Sequence, residues 1–408
     1  MAIRPILSTL ARHRIAAGLI VAEVALSFAI VCNALHMMTV RYEVLNKPSG
    51  LAEAELVNID LRALTPIDGA DALSDDDLRR LRALPGVKGA AIANQVIYGD
   101  NNNNTGVNNE PNDRGTRVSA SSYAGDEHFL PVHGVQLVAG RNFQRDEIQK
   151  RSAVDANPDA RVPVVIVDRK LAEALYPGTS AVGKRVWVFG GRESQIIGVV
   201  EALSHTNPKQ ASNSTRGSQG AIIAPLAGNF RNGTYMLRVE PGRRQAVLKE
   251  AAAIIREVDA RRIVRRGETL LDMRNRYYAE DRAMTALLAG VCVALLAVTA
   301  FGIVGLASFW VAQRTRMIGI RRALGATQAQ IRGYFQLENG LLCGMGVLLG
   351  LAGALALSQG MLQPQGAPPL HWFYLPLGAL LLLLLGQLAV LAPARKASAL
   401  PAATAMRA

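Results

Sequence analysis

One stretch of the sequence approaches a nucleotide-binding motif. Residues 178–185 (GTSAVGKR) match the phosphate-binding pattern GxxxxGK[ST] except at its last position, where Arg185 stands. A Ser or Thr hydroxyl at that position coordinates magnesium. A phosphate-binding loop also joins a strand to a helix, whereas this segment follows a predicted helix and leads into a predicted strand. We therefore predict a turn before a strand, and no nucleotide site.

The histidines do not have the spacing of metal ligands or of catalytic groups. None of the six forms a helical i, i+4 pair or a Cys/His cluster. His128 and His133 flank a short apolar run and are predicted to be surface groups. The G-x-S-x-G and H-E-x-x-H motifs are absent from the sequence. We expect no catalytic site, no metal site and no bound cofactor on this chain.

Glu23 is an acid inside a long apolar stretch. On insertion scales, a carboxylate within a membrane span costs roughly 2.5–3.5 kcal/mol. Two interpretations stay open. Glu23 takes part in helix pairing or in coupling, or it is an interior residue whose carboxyl group is satisfied by Ser27 or by a neighbouring subunit.

Residues 313–338 (QRTRMIGIRRALGATQAQIRGYFQLE) form the most informative segment. Five arginines and no acid lie between Arg314 and Arg332. Apolar residues alternate with these arginines, Gly325 is predicted to end a helix, and Thr327 is predicted to start the next one. The pattern indicates a short basic amphipathic helix on the inner leaflet, although an ordinary basic loop would share the composition. Its glycines allow close backbone approach, which suits a partner protein as well as lipid.

Long apolar stretches surround this segment and must position it. They are predicted to be four transmembrane helices, because a span needs roughly 20 apolar residues and none of these stretches has a polar face. The first is predicted to be an uncleaved signal anchor instead of a cleaved signal peptide. The second is long enough, with helical pattern continuing upstream through 273–282, either to project as a stalk or to tilt with a frayed end. The four spans are 15–40, 283–312, 339–357 and 373–392.

The net charge of +13 reflects membrane topology and does not indicate a nucleic-acid partner. Acidic and basic residues nearly balance within 41–282. The excess of arginine and lysine lies in the short segments 1–14, 313–338 and 393–408, and the loop 358–372 has neither residue. By the positive-inside rule, the three basic segments are cytoplasmic, and 41–282 and 358–372 lie outside.

The region 41–282 is predicted to be a mixed α/β domain. The three cysteines, Cys32, Cys292 and Cys343, all lie in predicted spans, so this domain has no disulfides. A strand–helix–strand pattern occurs at both ends, at about 50–95 and 232–275, and we expect the two halves to form one subdomain with the middle inserted into it. In the first half Ser74 is predicted to be the helix N-cap. The polar segment 98–122 is predicted to be a mobile loop or an irregular insertion, and 207–220 a second polar loop.

Residues 314–327 (RTRMIGIRRALGAT) resemble a motif of the MacB/FtsX family of ABC-transporter permeases. The family motif is R-x-x-E-I-G-[IV]-x-[RK]-A-[LI]-G-A-[TS], and the one departure is Met317, where the family usually has Glu. That departure puts in doubt any ion pair that the Glu would make. Further resemblance covers essentially the whole chain, at 134–142, 164–188, 195–203 and 393–408.

The resemblance implies four transmembrane helices with a large extracytoplasmic α/β domain in the bacterial inner membrane, with both termini cytoplasmic. It implies a permease dimer, from two copies or two homologous permeases, which binds cytoplasmic ABC ATPases that hold ATP and magnesium. No fused ATPase is expected on this chain. The ATPase-docking residues implied are Arg314, Arg316, Ile318, Gly319, Ile320, Arg321, Arg322, Ala323, Leu324, Gly325, Ala326 and Thr327.

The function that the resemblance implies is efflux of peptides, antibiotics or other amphiphiles. ATP hydrolysis on the partner would move the extracytoplasmic domains, a mechanism called mechanotransmission, and a periplasmic adaptor and an outer-membrane channel often take part. A lipoprotein-releasing or cell-wall-regulating permease of the same superfamily is the first alternative. The second is a membrane receptor with a ligand-sensing outer domain, which would need a signalling output inside.

Overall fold

The computed structural model of the protein describes residues 14–111, 115–157, 159–209 and 220–399. The described chain divides into two compact units, one made of residues up to 45 and from 280 onward, the other of residues 46–279. Arg4, Arg12, Arg407 and most of the predicted loop 207–220 lie outside the described residues.

The secondary structure alternates short strands and helices in the second unit and is helical in the first. The helices are α1 (Arg14–Asn46), α2 (Ala70–Arg82), α3 (Phe129–His133), α4 (Arg151–Ala156), α5 (Arg169–Leu175), α6 (Arg244–Val258), α7 (Leu270–Tyr277), α8 (Ala279–Gln313), α9 (Thr315–Ala323), α10 (Gln328–Leu357) and α11 (Tyr374–Ala399). The strands are β1 (Leu56–Ala63), β2 (Val87–Ala93), β3 (Asn104–Asn108), β4 (Arg117–Gly125), β5 (Leu137–Gly140), β6 (Gln149–Lys150), β7 (Val164–Asp168), β8 (Arg185–Val188), β9 (Arg192–Val200), β10 (Ala221–Ala227), β11 (Thr234–Val239) and β12 (Arg262–Thr269).

Four helices of the first unit, α1, α8, α10 and α11, are long and apolar enough to cross a membrane. They confirm the predicted four-helix class. The third begins at Gln328, well before the predicted start at 339, because the N-cap Thr327 accepts a hydrogen bond from the Gln330 amide and starts the helix there. After Leu357 the chain continues in π- and 3₁₀-helical turns through Gln365, into the predicted loop.

The second span is not continuous with the helical pattern upstream of it. Helix α7 ends at Tyr277, and Tyr278 leaves the helical conformation before α8 begins at Ala279. The prediction of one helical pattern running through 273–282 is therefore wrong. Helix α8 itself has 35 residues, about 52 Å at 1.5 Å per residue, which exceeds the thickness of the hydrocarbon core.

Small residues and amide groups hold the membrane helices together. A Cβ at Gly346 or Gly350 of α10 would lie 2.7–2.8 Å from side-chain atoms of Val24 or Phe28 of α1, so the small–xxx–small pair permits close packing of these helices. Asn33 donates to the carbonyl of Ala354 at 3.1 Å. These contacts join α1 to α10 without relying on a hydrophobic driving force, which is weak between helices in lipid.

One subdomain of the second unit is a four-stranded antiparallel sheet in the order β12-β1-β11-β2. Its strands come from both ends of the region 46–279. Helices α2 and α6 bury Leu81 and Val247 in the same core as Val57 and Tyr235 of the sheet. This packing of helices on an antiparallel sheet is an α+β architecture.

The remaining strands form a closed mixed barrel. The strand order is β4-β3-β8-β9-β7-β10, and β10 pairs with β4 to close it, while β5 and β6 add at its edges. Strand β3 and most of β4 lie within 98–122, so the prediction of a loop or irregular insertion there was wrong. The two strands pair antiparallel and place Val107 opposite Val118 in the barrel core, and this pairing overrides the high Asn content of the segment.

A buried ion pair joins three elements of the four-stranded subdomain. Asp77 of α2 accepts two hydrogen bonds from the guanidinium of Arg262 on β12, at 2.5 and 3.0 Å, and both side chains are fully buried. The hydroxyl of Tyr235 on β11 donates to the same carboxylate at 2.6 Å.

The prediction that Ser74 is the N-cap of α2 was wrong. Ser74 lies inside this helix, where its hydroxyl accepts from the Phe230 amide, because α2 begins earlier at Ala70.

Candidate functional site

Helix α9 lies between two membrane helices and carries most of the predicted docking residues. Helix α8 ends at Gln313, and the Arg314 amide still donates to carbonyls of its last turn, at Trp310 and Val311. The hydrogen bond that the Ile318 amide donates to the Arg314 carbonyl already belongs to α9. A single non-helical residue, Arg314, therefore separates α8 from α9 and forms the joint between them.

The Arg314 side chain is buried in an ion pair with Glu338 of α10. One guanidinium nitrogen donates to both carboxylate oxygens, at 3.0 and 2.8 Å, and the two side chains are almost fully buried. The guanidinium also lies over the Trp310 ring, 5.6 Å from its centroid. Arg314 is thus committed to a contact within the chain, and its role is to fix the start of α9 against α10.

The inner face of α9 is apolar and packs on the membrane helices. Ile318 is buried in the same hydrophobic cluster as Ile331 and Tyr334 of α10 and Ala394 of α11. Gly319 is buried beside it. These contacts explain the apolar half of the predicted amphipathic pattern, because they hold the helix flat against its neighbours.

Helix α9 ends in a Schellman turn that leads directly into α10. Gly325 has a positive φ of 92°, the left-handed conformation that glycine adopts without a Cβ penalty. Its amide donates to the Arg322 carbonyl, and the Ala326 amide donates to the Arg321 carbonyl, the hydrogen-bond pair of this motif. Thr327 then forms a capping box with Gln330. The sequence Leu-Gly-Ala-Thr is therefore a stop signal followed by a start signal.

The outer face of α9 mixes exposed apolar and cationic side chains. Leu324 is 83% exposed and Ile320 48% exposed, which is unusual for large aliphatic residues that alternate with charges. Arg321 is also exposed, and its guanidinium lies 4.7 Å from the centroid of the Tyr334 ring. Such a surface can bind a partner through a small apolar contact surrounded by charge-assisted hydrogen bonds.

The structure divides the predicted docking residues into three groups. Arg314, Ile318 and Gly319 are buried and position the helix, so Arg314 is not a surface contact. Arg322 and Ala326 are half-buried. The exposed residues, which we call the α9 outer surface, are Arg316, Ile320, Arg321, Ala323, Leu324, Gly325 and Thr327, together with Met317.

Glu338, the buried partner of Arg314, is a residue of this site that the sequence pattern did not single out. A signal was present, because Glu23 and Glu338 are the only acids outside 41–282. A lone acid at the start of an apolar span predicts a buried partner, and Arg314 was the basic residue at the end of the previous span. The departure at Met317, which is exposed, leaves this pair intact.

Two other sequence predictions can be assessed. Residues 177–184 form turns before β8, so the predicted turn is confirmed.

His133, predicted to be a surface group, is buried. Its ring stacks on the Phe129 ring with the two centroids 4.1 Å apart, and its Nδ1–H donates to the Phe129 carbonyl at 2.8 Å. Burial lowers the pKa of His133 to about 4. The helical i−4 spacing to Phe129 allows this packing, which composition alone did not indicate.

Glu23 lies against α8. A Cβ at Gly302 would meet its carboxylate oxygens within 2.6 Å, so the glycine provides the space for this side chain. Ser27, one predicted partner, instead forms a hydrogen bond of 2.7 Å with Thr299 of α8. Within the described residues, no hydrogen bond satisfies the Glu23 carboxylate.

Comparison with known proteins identifies two matching families. Residues 21–254 match the family described as MacB-like periplasmic core domain, and residues 289–402 match the FtsX-like permease C-terminal family. Among curated relatives, the Macrolide export ATP-binding/permease protein MacB of Neisseria gonorrhoeae is 24% identical over 251 residues, and MacB 2 of Aeromonas hydrophila is 29% identical over 245 residues. These alignments cover 60% and 59% of this chain but only 36% and 35% of the relatives. The chain is thus aligned to about a third of each relative.

Solved structures also match. The extracellular domain of the noncanonic ABC-type transporter YknZ from Gram-positive bacteria is 16% identical, with 51% of this chain and all of that chain covered. The periplasmic region of MacB from Actinobacillus actinomycetemcomitans is also 16% identical, with 53% and 89% covered. Both have a TM-score of 0.31.

Proposed function

The chain belongs to the MacB/FtsX family of ABC-transporter permeases, and we propose that it is a permease subunit that couples ATP hydrolysis on a separate subunit to movement of its extracytoplasmic domain. The observation that carries the proposal is the exposed basic and apolar α9 outer surface, held in place by the buried Arg314–Glu338 pair. The partner that this surface fits is a cytoplasmic ABC ATPase.

The chemistry of the α9 outer surface favours a protein partner over lipid alone. Leu324 is exposed and lies next to Gly325, where an added Cβ would meet no atom within 4 Å. A protruding aliphatic residue with open space around it suits insertion into a pocket of a partner. Arginine is preferred at such interfaces because its planar group binds carboxylates bidentately.

The connections of α9 provide a route for movement. Its start is fixed to α10 by the ion pair, its inner face packs on α10 and α11, and its end runs into α10 through the capping box. A displacement of α9 would therefore be passed to α10 and, through the joint at Arg314, to α8. Such coupling needs elements that move together as packed units, and the buried contacts supply that condition.

The remaining features of the proposal extend the family assignment. The basic segments 1–14, 313–338 and 393–408 would be cytoplasmic by the positive-inside rule, and the working unit would be a dimer with a second copy or a homologous permease. Efflux of peptides, antibiotics or other amphiphiles, with a periplasmic adaptor and an outer-membrane channel, is the function we propose. The names of the relatives, which specify macrolide export, support this substrate class.

The test is copurification from the native host in mild detergent. We expect a tagged chain to carry an ATP-binding-cassette protein, and the double variant Arg321→Glu/Arg322→Glu to lose it. The matched control is Arg395→Glu/Lys396→Glu, which makes the same charge change at exposed residues of α11 and should retain the partner. Recovery of both variants with an equal amount of ATPase would refute docking through α9, and absence of any ATPase would favour the receptor alternative.

A further inference from the structure

A cavity of about 320 Å³ in the membrane unit lies at the end of the bundle opposite to α9. It is lined by the last turns of α1 and by the segment that leads into α11. The lining residues are His36, Thr39, Val40, Glu43, His371, Phe373 and Tyr374. Trp372, Phe373 and Tyr374 are consecutive, and such aromatic clusters sit at the level of the lipid head groups.

His36 is the unusual residue of this cavity. Its side chain is only 7% exposed, yet neither ring nitrogen has a hydrogen-bond partner among the described residues. A buried polar atom without a partner costs roughly 1–3 kcal/mol, and a neutral imidazole has one donor and one acceptor to satisfy. A ligand in the cavity could supply both partners.

The other polar groups of the cavity extend this pattern. The Phe373 amide donates to Nδ1 of His371 at 3.4 Å, so in the neutral ring Nε2 carries the hydrogen and can donate. The Thr39 hydroxyl donates to the Leu35 carbonyl and keeps its acceptor capacity. Glu43 is exposed and has no ion pair within the described part of the chain, and it lines the same cavity as Phe373 and Tyr374.

A metal ion does not fit this set of residues. Within the described chain, the one group of three or more His, Cys, Asp or Glu ligand atoms within 4.8 Å of one another is Asp126, Glu127 and His128 in the other unit. Two of its acids are paired with arginines, Asp126 with Arg82 and Glu127 with Arg145. The residues of the cavity are too far apart to share one ion, so the ligand must be larger.

We propose that this cavity binds the head group of an aminophospholipid. The imidazole N–H groups of His36 and His371 donate to the phosphate oxygens, and Glu43 with the Phe373 and Tyr374 rings accepts the primary ammonium group through an ion pair and cation–π contacts. A zwitterion matches the site, because the cavity lining supplies both imidazole N–H donors and a carboxylate. The apolar stretches of α1 and α11 below would contact its acyl chains.

The experiment is native mass spectrometry of the purified full chain in detergent, titrated separately with phosphatidylethanolamine, phosphatidylcholine and phosphatidylglycerol of identical acyl chains. Phosphatidylcholine keeps the positive charge but loses the N–H donors, and phosphatidylglycerol loses the charge. We expect the chain to bind phosphatidylethanolamine at least fivefold more tightly than either of the other lipids. Equal binding of the three lipids would overturn the proposal.

Two variants localise the binding. Glu43→Gln removes the charge from an exposed residue, so the chain should fold normally, and it should reduce binding of phosphatidylethanolamine to the level of phosphatidylcholine. His36→Leu should weaken all three phospholipids, because each has a phosphate. The matched control Glu280→Gln, at an exposed acid at the start of α8, should change none of them. Retention of the lipid preference in Glu43→Gln would also overturn the proposal. The assay needs no ATPase, so its result is independent of the docking experiment.

Discussion

In the described part of the chain, two arginine–carboxylate pairs have both side chains more than nine-tenths buried, one in each unit, and their surroundings differ. Arg262 uses two guanidinium nitrogens on Asp77, which also accepts from the Tyr235 hydroxyl. Arg314 uses one nitrogen for both oxygens of Glu338, and its second terminal nitrogen has no hydrogen-bond partner among the described residues. The Arg262 guanidinium likewise leaves its Nε without a partner there, so the two pairs differ in their carboxylates. Among the described residues, Asp77 accepts hydrogen bonds from two side chains, whereas Glu338 accepts only from one guanidinium nitrogen.

The difference follows from what each pair connects. The Asp77–Arg262 pair, together with Tyr235, links helix α2 to strands β11 and β12. These three elements pack in one subdomain core, so we expect them to keep one relative position. The Arg314–Glu338 pair links two long membrane helices at the joint where α9 begins. A buried pair gives little net stability compared with apolar residues, so its value lies in fixing one arrangement. In the first case we infer a fixed core, and in the second the orientation of α9.

The largest effect is expected from Asp77→Ala, which would leave a fully buried guanidinium without its counter-charge. Removing one partner of a buried pair costs about 3–5 kcal/mol, and the free energy of unfolding of the four-stranded subdomain should fall by that amount. Hydrogen exchange of the β11 amides in the intact chain measures it. The neighbouring Asp76→Ala removes a half-buried carboxylate at the helix surface, paired with the exposed Arg79 and Arg80, and should cost less than 1 kcal/mol. Equal losses in the two variants would contradict the assigned roles.

A smaller loss is expected from Glu338→Gln. We predict about 1–3 kcal/mol, because Arg314 lies at the end of its helix and can turn its charge toward water. Local opening of α9, measured by hydrogen exchange of its amides, should increase accordingly. The double variant Arg314→Gln/Glu338→Gln removes both charges and should recover part of the loss. Strict additivity of the two single variants would show that the pair does not act as a unit.

The turn at the other end of α9 provides a second, weaker determinant of its position. Gly325→Val places a β-branched residue at φ 92°, which costs about 1–2 kcal/mol in the left-handed region. There is open space around this Cβ, so the cost comes from the backbone alone. Exchange of the amides that close the turn, those of Gly325 and Ala326 in the native chain, measures this cost.

Gly325→Asn is the control for that measurement, since Asn tolerates positive φ better than Val. It should keep most of the protection. If valine and asparagine had equal effects, glycine would be needed at this position for its small size, and the conformational argument would fail.

The sequence predicted the features that depend on local pattern. Apolar length identified all four spans, and Gly325 and Thr327 correctly placed the end of α9 and the next helix start. The family was identified from this same segment. Local signals were sufficient here because helix caps are defined by residues only a few positions apart in the sequence, and each span is one continuous apolar stretch.

Features that depend on tertiary pairing could not be read in the same way. Strands β3 and β4 lie in an Asn-rich segment whose burial requires the rest of the barrel, and Ser74 looked like a cap although α2 starts a turn earlier. The Arg314–Glu338 pair joins residues 24 apart across a turn, so its existence depends on the packing of α8, α9 and α10. The division of docking residues into buried and exposed groups depends on that same packing.

The smallest predicted effect concerns His133, a buried ionisable group that has no counter-charge, unlike the two arginines. Its folded pKa of about 4 lies below the unfolded value of about 6.5, so its stability contribution is present above pH 6.5 and is lost as the pH falls toward 4. Between pH 7 and pH 6 the unfolded state takes up the proton first, and the free energy of unfolding should fall by about 0.7 kcal/mol. His133→Phe should remove this part of the pH dependence, measured by hydrogen exchange at both pH values after correction for intrinsic rates. If the pH dependence of the free energy of unfolding were the same in His133→Phe, other groups would cause it, and the pKa of His133 would not differ between the folded and unfolded states.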